Sequence, residues 1–129
     1  MAGHGGLFKG GPNIAIKTPP GDYIRTVMFY RDTLGLEVLS EDERSVSFAF
    51  GANRLWIDKV DALSRAEVWL EVVAKNVKSA EDRMARDGVR RCDEIERLPL
   101  DFDGFWIANP AGIVHLVAST EESAAATEQ

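Results

Sequence analysis

Two side chains that can exchange protons or bind a metal ion interrupt apolar runs of the chain. His115 lies within NPAGIVHLVAS (residues 109–119), and Glu71 lies within VWLEVV (residues 68–73). Burial of a charged group costs free energy unless it has a partner, and histidine titrates near neutral pH. We therefore predict that Glu71 and His115 share a site, as a general base or ligand contact, as metal ligands, or as a hydrogen bond that satisfies two buried groups.

Aromatic side chains form a second candidate set. Rings on strands most often belong to the core, but several indoles on one curved sheet could line a cavity for a flat or amphipathic molecule. An acidic neighbour such as Asp58 would bias that cavity toward cationic molecules. The predicted ligand contacts are Trp56, Trp69, Trp106, Phe48 and Phe50.

The elements that must position these residues occur twice along the chain. The first series predicts a strand at 13–17, a helix at 23–34 that stops at Gly35, and three strands within 37–58. The second predicts a strand at 68–73, a helix after Asn76 that stops at Gly88, and three strands within 89–119. Each series is a βαβββ unit, so the predicted fold class is α+β.

The ends of the chain differ in composition from this centre. Residues 1–11 are rich in glycine and predict a flexible leader that includes His4, whereas 120–129 lack large apolar residues and predict a tail or frayed helix. We expect one domain over 12–119, with modules at about 12–60 and 66–119.

Charge and composition narrow the classes of partner. The chain has 129 residues, a net charge of -6, and Cys92 as its single cysteine. An acidic surface repels nucleic acid, and no apolar run reaches the length of a membrane span or a secretory signal. We expect a cytoplasmic protein that binds neither nucleic acid nor membrane.

The strands that carry Glu71 and His115 are apolar on both faces, unlike strands of a sheet with one wet face. Two helices can cover one side of the sheet. The other side must line a closed core, a subunit interface or a cavity for a small molecule.

Two stretches, FYRDTLGLEVL (residues 29–39) and NPAGIVHLV (residues 109–117), resemble signatures of the vicinal oxygen chelate superfamily, which includes glyoxalases, bleomycin-resistance proteins and extradiol dioxygenases. The resemblance implies two paired βαβββ modules that form a curved mixed sheet around a cavity. It also implies a homodimer.

The resemblance further implies where a divalent metal would bind, at four places on the first and last strands of the two modules. These places correspond to Asn13, to Asp58 or Trp56, to Trp69 with Glu71 two residues on, and to His115 or Leu116. Tryptophan cannot coordinate a metal, and an amide oxygen is a weaker ligand than an imidazole. A slip of one residue in the last hairpin would turn His115 to the opposite face.

The sequence therefore predicts a protein that binds a small organic molecule with no cofactor and no essential metal. The alternative is a metal-dependent lyase, isomerase or dioxygenase of the glyoxalase type. In that alternative the divalent ion would be held by His115, Glu71, Asp58 and Asn13.

Overall fold

The structure, a computed structural model, describes residues 6–128. Its elements in chain order are β1 (Phe8–Gly10), β2 (Asn13–Thr18), α1 (Pro20–Met28), a π-helical turn (Phe29–Thr33), β3 (Val38–Glu41), β4 (Ser45–Phe50), β5 (Asn53–Lys59), β6 (Glu67–Ala74), α2 (Val77–Arg86), β7 (Arg90–Arg91), a 3-10 turn (Asp93–Ile95), β8 (Gly104–Ala108), β9 (Val114–Ser119) and α3 (Thr120–Glu128). Two compact units contain them, the first formed by residues 12–69 and the second by residues 6–11 and 70–128.

The first unit is a four-stranded βαβββ sheet that residues 67–69 of β6 extend at one edge. Strand β2 pairs in parallel with β5, and the pairs β5–β4 and β4–β3 are antiparallel. Residues 67–69 pair with β2 in antiparallel sense. Strand β2 thus lies between β5 and β6, and its side chains point only to the two faces of the sheet.

Helix α1 covers one face of the first unit. Tyr23 and Val27 lie four residues apart on the helix, and both are buried against Val46, Leu55 and Ile57 from the strands. Asn13, Ala15 and Lys17 alternate with the core-facing residues of β2, so they point to the face opposite α1. This opposite face of the first unit is called the polar face below.

The second unit repeats the same strand order. Residues 70–74 of β6 pair in parallel with β9, and β9–β8 and β8–β7 are antiparallel. Helix α2 packs on one face, where Ala80 meets Ala74, Phe105 and Val117. Asn76 caps this helix, because its side chain accepts a hydrogen bond from the Ser79 N–H. The predicted α+β fold with two βαβββ modules is confirmed.

One predicted strand is much shorter than the sequence indicates. Residues 89–96 predict a full strand, but only Arg90 and Arg91 pair with β8 before a 3-10 turn begins at Asp93. The Asp93 carboxylate accepts a hydrogen bond from the backbone N–H of Trp106 at 2.9 Å. This side chain replaces a backbone partner, so the chain turns away from the sheet.

The two ends contain more regular structure than composition predicts. Residues 8–10 of the predicted leader form β1, which pairs with residues 72–74 at an edge of the second unit. The predicted tail forms α3, whose Ser123 is buried. His4 lies outside the described residues. Within the described part of the chain, no helix is long and apolar enough to cross a membrane.

Candidate functional site

The pairing of β6 with β9 separates the two residues that the sequence places together. In this register Leu70 is the neighbour of His115, and Glu71 is the neighbour of Leu116. Neighbours across a ladder point to the same face, and adjacent residues of one strand point to opposite faces. Glu71 and His115 therefore lie on opposite faces of the sheet, and the predicted contact between them is wrong.

His115 belongs to the face that α2 covers. It is the ladder neighbour of Ile107, which is part of the core beneath that helix. Its Nδ1 donates a hydrogen bond to the Ile113 carbonyl oxygen at 3.0 Å. The Nδ1 atom of the ring is thus satisfied by the backbone of its own strand region.

Glu71 points away from α2 and is 8% exposed. Ser123 in α3 donates a hydrogen bond to its Oε1 at 3.1 Å. The backbone of Gly11 also approaches closely, because its N–H donates to the Glu71 carbonyl oxygen at 2.9 Å. A Cβ at position 11 would overlap the Glu71 carboxylate, so this close approach requires glycine.

On the polar face of the first unit, a buried ion pair joins neighbouring strands. Lys17 Nζ lies 2.7 Å from Asp58 Oδ2, and the Lys17 side chain is only 6% exposed. Ser45 donates to the other Asp58 oxygen at 2.5 Å. Lys17 also lies 4.4 Å from the centre of the Trp69 ring, a cation–π contact. Because Lys17 compensates Asp58, the expected acidic bias of the groove is not supported at this position.

A second cation stands at the other end of the polar face. The Arg54 guanidinium lies 4.6 Å from the centre of the Trp56 ring, and Arg54 is 4% exposed. Its Nε donates to Ser47 Oγ at 3.0 Å, and Trp56 Nε1 donates to Asn13 Oδ1 at 2.9 Å. Each tryptophan of this face therefore has a cation against its ring and a hydrogen bond from its indole nitrogen.

Sequence reasoning missed Lys17 and Arg54. A signal was present, because Lys17 alternates with Asn13 and Ala15 along β2, and Arg54 precedes Trp56 by two residues on β5. Period-two alternation places each cation on the same face as the predicted site residues. Lysine and arginine are rarely buried without partners, so a sequence pattern alone favours the exposed alternative.

Ala15 lies in the middle of the polar face, between the two tryptophans. The ladders pair Ala15 with Trp69 on one side and with Trp56 on the other. The Trp69 indole N–H donates a hydrogen bond to Glu67 Oε1 at 2.9 Å, and Glu67 is the ladder neighbour of Lys17. The Trp56 indole N–H donates to Asn13 Oδ1, toward the opposite end of β2. Ala15 remains partly accessible although Lys17, Arg54 and Trp69 around it are buried. Ala15 is thus a small, partly accessible side chain among larger buried ones.

The other predicted aromatic contacts lie elsewhere. Phe48 is fully buried on the α1 side, 6.0 Å from the ring of Tyr30, and Phe50 shares that side at the end of β4 with 40% exposure. Trp106 in the second unit donates to the Glu96 carbonyl oxygen at 2.9 Å. Together with residues of the segment 93–98 it lines an open pocket of about 390 Å³. Of the predicted aromatic set, Trp56 and Trp69 are the members on the polar face of the first unit.

The residues at the implied metal positions do not fit a metal centre. Asn13 accepts from an indole, Asp58 is engaged by Lys17 and Ser45, and Trp69 has no metal-binding atom. In the second unit Leu116 is the residue beside Glu71, and His115 points the other way. Among residues 6–128 no group of three or more His, Cys, Asp and Glu side chains could hold a metal ion.

The sequence matches no protein-family profile and no curated protein. Solved structures do resemble it. A methylmalonyl-CoA epimerase from Mycobacterium tuberculosis superposes with a TM-score of 0.64 at 16% identity, covering 98% of this chain and 97% of the epimerase chain. A glyoxalase/bleomycin resistance protein/dioxygenase superfamily member from Vibrio splendidus 12B01 gives a TM-score of 0.57 at 16% identity, with 82% and 97% coverage.

A longer protein of similar structure is the Mn(II)-bound glyoxalase from Novosphingobium aromaticivorans, with a TM-score of 0.65 at 17% identity. The match covers 88% of this chain and only 39% of the glyoxalase chain. These likenesses, together with the repeated βαβββ topology, show that the chain has the vicinal oxygen chelate fold. At this level of identity they establish the fold and not the reaction.

Proposed function

We propose that the polar face of the first unit binds a small, flat organic molecule, and that binding requires no resident metal. The observation that supports the proposal is that the residues at the implied metal positions of this unit make other contacts. Asn13, Asp58 and Trp69 are committed to an indole hydrogen bond, an ion pair and a cation–π contact. The face is a preformed polar and aromatic surface, the kind of lining that small-molecule sites use.

We propose that the space above the small Ala15 side chain, called the depression below, is the binding position. The backbones of Trp56 and Trp69 are two strand spacings apart, about 10 Å. That separation leaves room for one planar ring above Ala15 if the indoles flank it. Lys17, which is paired with Asp58, and Arg54 adjoin the depression, and both are buried. The contact with the aromatic rings therefore carries the proposal, and it requires no particular charge on the ligand.

A pair of matched probes tests the proposal. Calorimetric titration of the full chain with 2-naphthoate and with 2-naphthylmethylammonium compares the two charges on the same ring. We expect both compounds to bind, with dissociation constants within about tenfold of each other, because the ring makes the contact. Binding of neither compound would count against the flat-ligand proposal.

Ala15→Leu locates the site. The added side chain fills the depression, so the dissociation constant for 2-naphthoate should rise at least about tenfold, equivalent to about 1.4 kcal/mol. Ala49→Leu is the matched control. Ala49 lies on the same face, but it is the ladder neighbour of Arg54 and does not lie between the tryptophans. Equal effects of the two substitutions, with unchanged folding by circular dichroism, would contradict this location.

A metal-dependent lyase, isomerase or dioxygenase remains the second candidate function. The observation in its favour is that a structural neighbour is named as an Mn(II)-bound glyoxalase. This candidate requires a divalent ion on this chain, so it is distinguished from metal-free binding by whether chelation with EDTA abolishes ligand binding or turnover.

We also propose a homodimer, as the resemblance implies. Helix α1 of the first unit presents Ile24 and Met28 four residues apart, with 62% and 45% of their surfaces exposed. Burial of this pair against another copy would remove apolar surface from water. Sedimentation equilibrium of the wild type and of Ile24→Glu tests it, since a dimer that uses this surface should dissociate in the variant, and a monomeric wild type would contradict the proposal.

A further inference from the structure

A pocket of the second unit lies where helix α2 ends beside the turn that joins β8 and β9. Its volume is about 680 Å³, which is within the range of pockets that hold small molecules. The lining residues lie within 84–90, at the end of α2 and the start of β7, and within 107–112, at the end of β8 and in the turn. This pocket is called the hairpin pocket below, and it shares no residue with the polar face of the first unit.

The side chains of the hairpin pocket are mostly aliphatic. Met84 and Val89 are half-buried and pack on the core cluster that contains Ile107. Pro110 and Ala111 of the turn add exposed apolar surface. The described residues that line the pocket include no aromatic ring. A ligand would therefore be held by contact with aliphatic groups, which favours a compact aliphatic body over a flat ring.

The charged residues of the hairpin pocket do not select an ionic ligand. The Asp87 carboxylate forms an ion pair with Arg83, whose Nε lies 2.9 Å from Asp87 Oδ2. Arg90 is the ladder neighbour of Ala108, so its side chain belongs to the face opposite Ile107. An ionic ligand would lose its hydration in the pocket without gaining a charged partner there.

Hydrogen bonds fix both sides of the hairpin pocket. Asn109 Oδ1 accepts from the backbone N–H groups of Ala111 and Ile113, each at 2.9 Å, which holds the turn. On the helix side, the Val89 N–H donates to the Met84 carbonyl oxygen at 2.9 Å and holds the segment that leaves α2. A site that is already ordered loses less conformational entropy when a ligand binds.

We infer that the hairpin pocket binds a compact, neutral aliphatic molecule. Such a molecule would remove from water both its own apolar surface and the exposed surface of Pro110 and Ala111. It needs no charged partner, and the ion pair of Asp87 stays intact. The inference is independent of the binding proposed for the polar face of the first unit, which uses aromatic rings.

Chemical-shift mapping of the nitrogen-15-labelled full chain with camphor, a neutral bicyclic ketone, locates the site. We expect the largest amide shifts within residues 84–90 and 107–112. Largest shifts within residues 13–17 and 54–58 would place camphor on the polar face and would overturn the inference. The absence of any shift at millimolar camphor would overturn it as well.

Camphorsulfonate tests the predicted preference for a neutral ligand, because it carries a negative charge on the same bicyclic body. Its dissociation constant should exceed that of camphor by about tenfold or more, since the pocket provides no partner for the charge. Equal or tighter binding of the sulfonate would show that the ligand class is wrong.

Met84→Ala tests whether the lining makes the contact. Alanine keeps the helix but removes apolar contact, so the dissociation constant for camphor should rise about fivefold or more. Met28→Ala makes the same change at the end of α1 and is the matched control, which should leave that constant unchanged. A constant in Met84→Ala equal to that of the wild type or of Met28→Ala would overturn the inference. If circular dichroism shows that Met84→Ala fails to fold, the shift map of the wild type decides alone.

Discussion

Lys17 and Asp58 illustrate how a charged pair is placed on the polar face. Both come from the central parallel pair of strands, where the ladder sets Lys17 beside Asp58. The ammonium lies against an indole ring rather than water, so its charge depends on Asp58 and on the ring for compensation.

Removal of one partner should therefore be more harmful than removal of both. Lys17→Met leaves the Asp58 carboxylate without its cation, and we expect the free energy of unfolding to fall by about 2 kcal/mol. The double variant Lys17→Met with Asp58→Leu should recover part of that loss. Urea unfolding measures both, and a double variant no more stable than Lys17→Met would contradict this explanation.

Tyr23 gives a prediction about alkaline pH. Burial raises the pKa of Tyr23, and the carboxylates of Asp42 and Asp58 raise it further. Its hydroxyl is buried and has no hydrogen-bond partner among the residues that the structure describes. The unfolded chain releases this proton at about pH 10, but the folded chain holds it to higher pH, so stability must fall as pH rises through that region.

Tyr23→Phe should remove this part of the alkaline loss and should cost little stability at neutral pH, because an unsatisfied hydroxyl is lost. Urea midpoints at neutral pH and at about pH 10.5 compare the variant with wild type and with Tyr30→Phe. Tyr30→Phe should keep the alkaline fall. An equal fall in all three proteins would contradict the role assigned to Tyr23.

The residue-level prediction from sequence failed at the Glu71–His115 contact for a specific reason. Side-chain direction in a strand has a period of two, so an error of one residue in the register between β6 and β9 exchanges the faces. The sequence shows two polar residues in two apolar runs, but it contains no local signal for which residue of one strand lies beside which residue of the other.

Gly11 connects a strand edge to the buried carboxylate. It follows β1, and its N–H bonds to the Glu71 backbone while the Glu71 side chain fills the place of a Cβ. Gly11→Ala should force the carboxylate to move and lower the free energy of unfolding by about 1–3 kcal/mol. Gly10→Ala is the matched control, since a Cβ at Gly10 meets no atom within 4 Å. Equal urea midpoints for the two variants would contradict the packing described here.

The elements themselves could be predicted from sequence with few errors. Apolar spacing located α1, and Gly35 with φ of +69° and Gly88 with φ of +70° stand where the two helical regions end. Sequence patterns failed where side chains override the local signal. Asp93 ends β7 by bonding to Trp106, and Ser123 is buried in a helix whose composition is typical of an exposed tail.

The two units share a strand topology, but they differ in the charged residues that the sheet bears. Both units have the same βαβββ strand order, and each has one helix-covered face. The polar face of the first unit bears two buried cations, whereas the corresponding side of β6 in the second unit bears Glu71 beneath α3. The fold could be predicted because periodicity encodes it. Periodicity also places Lys17 and Arg54 on this face, but their burial and their partners depend on contacts between strands.

The fold also limits what similarity can say about function. The structural neighbours described above include proteins named as an epimerase and as a glyoxalase, at identities of 16% and 17%. Because one fold supports several chemistries, the function must be argued from the residues of the site. The proposal made above is therefore argued from the residues of the polar face and not from the fold.

We propose that the polar face binds its ligand without a metal, and metal analysis of the purified full chain is the first test of this proposal. The protein is loaded in turn with manganese, zinc, nickel and iron, desalted, and analysed by plasma mass spectrometry. Because Asn13, Asp58 and Trp69 are committed to other contacts, we predict no stoichiometric ion under any loading. A tightly held stoichiometric ion that is retained in His115→Ala but lost in Asp58→Asn would contradict the account.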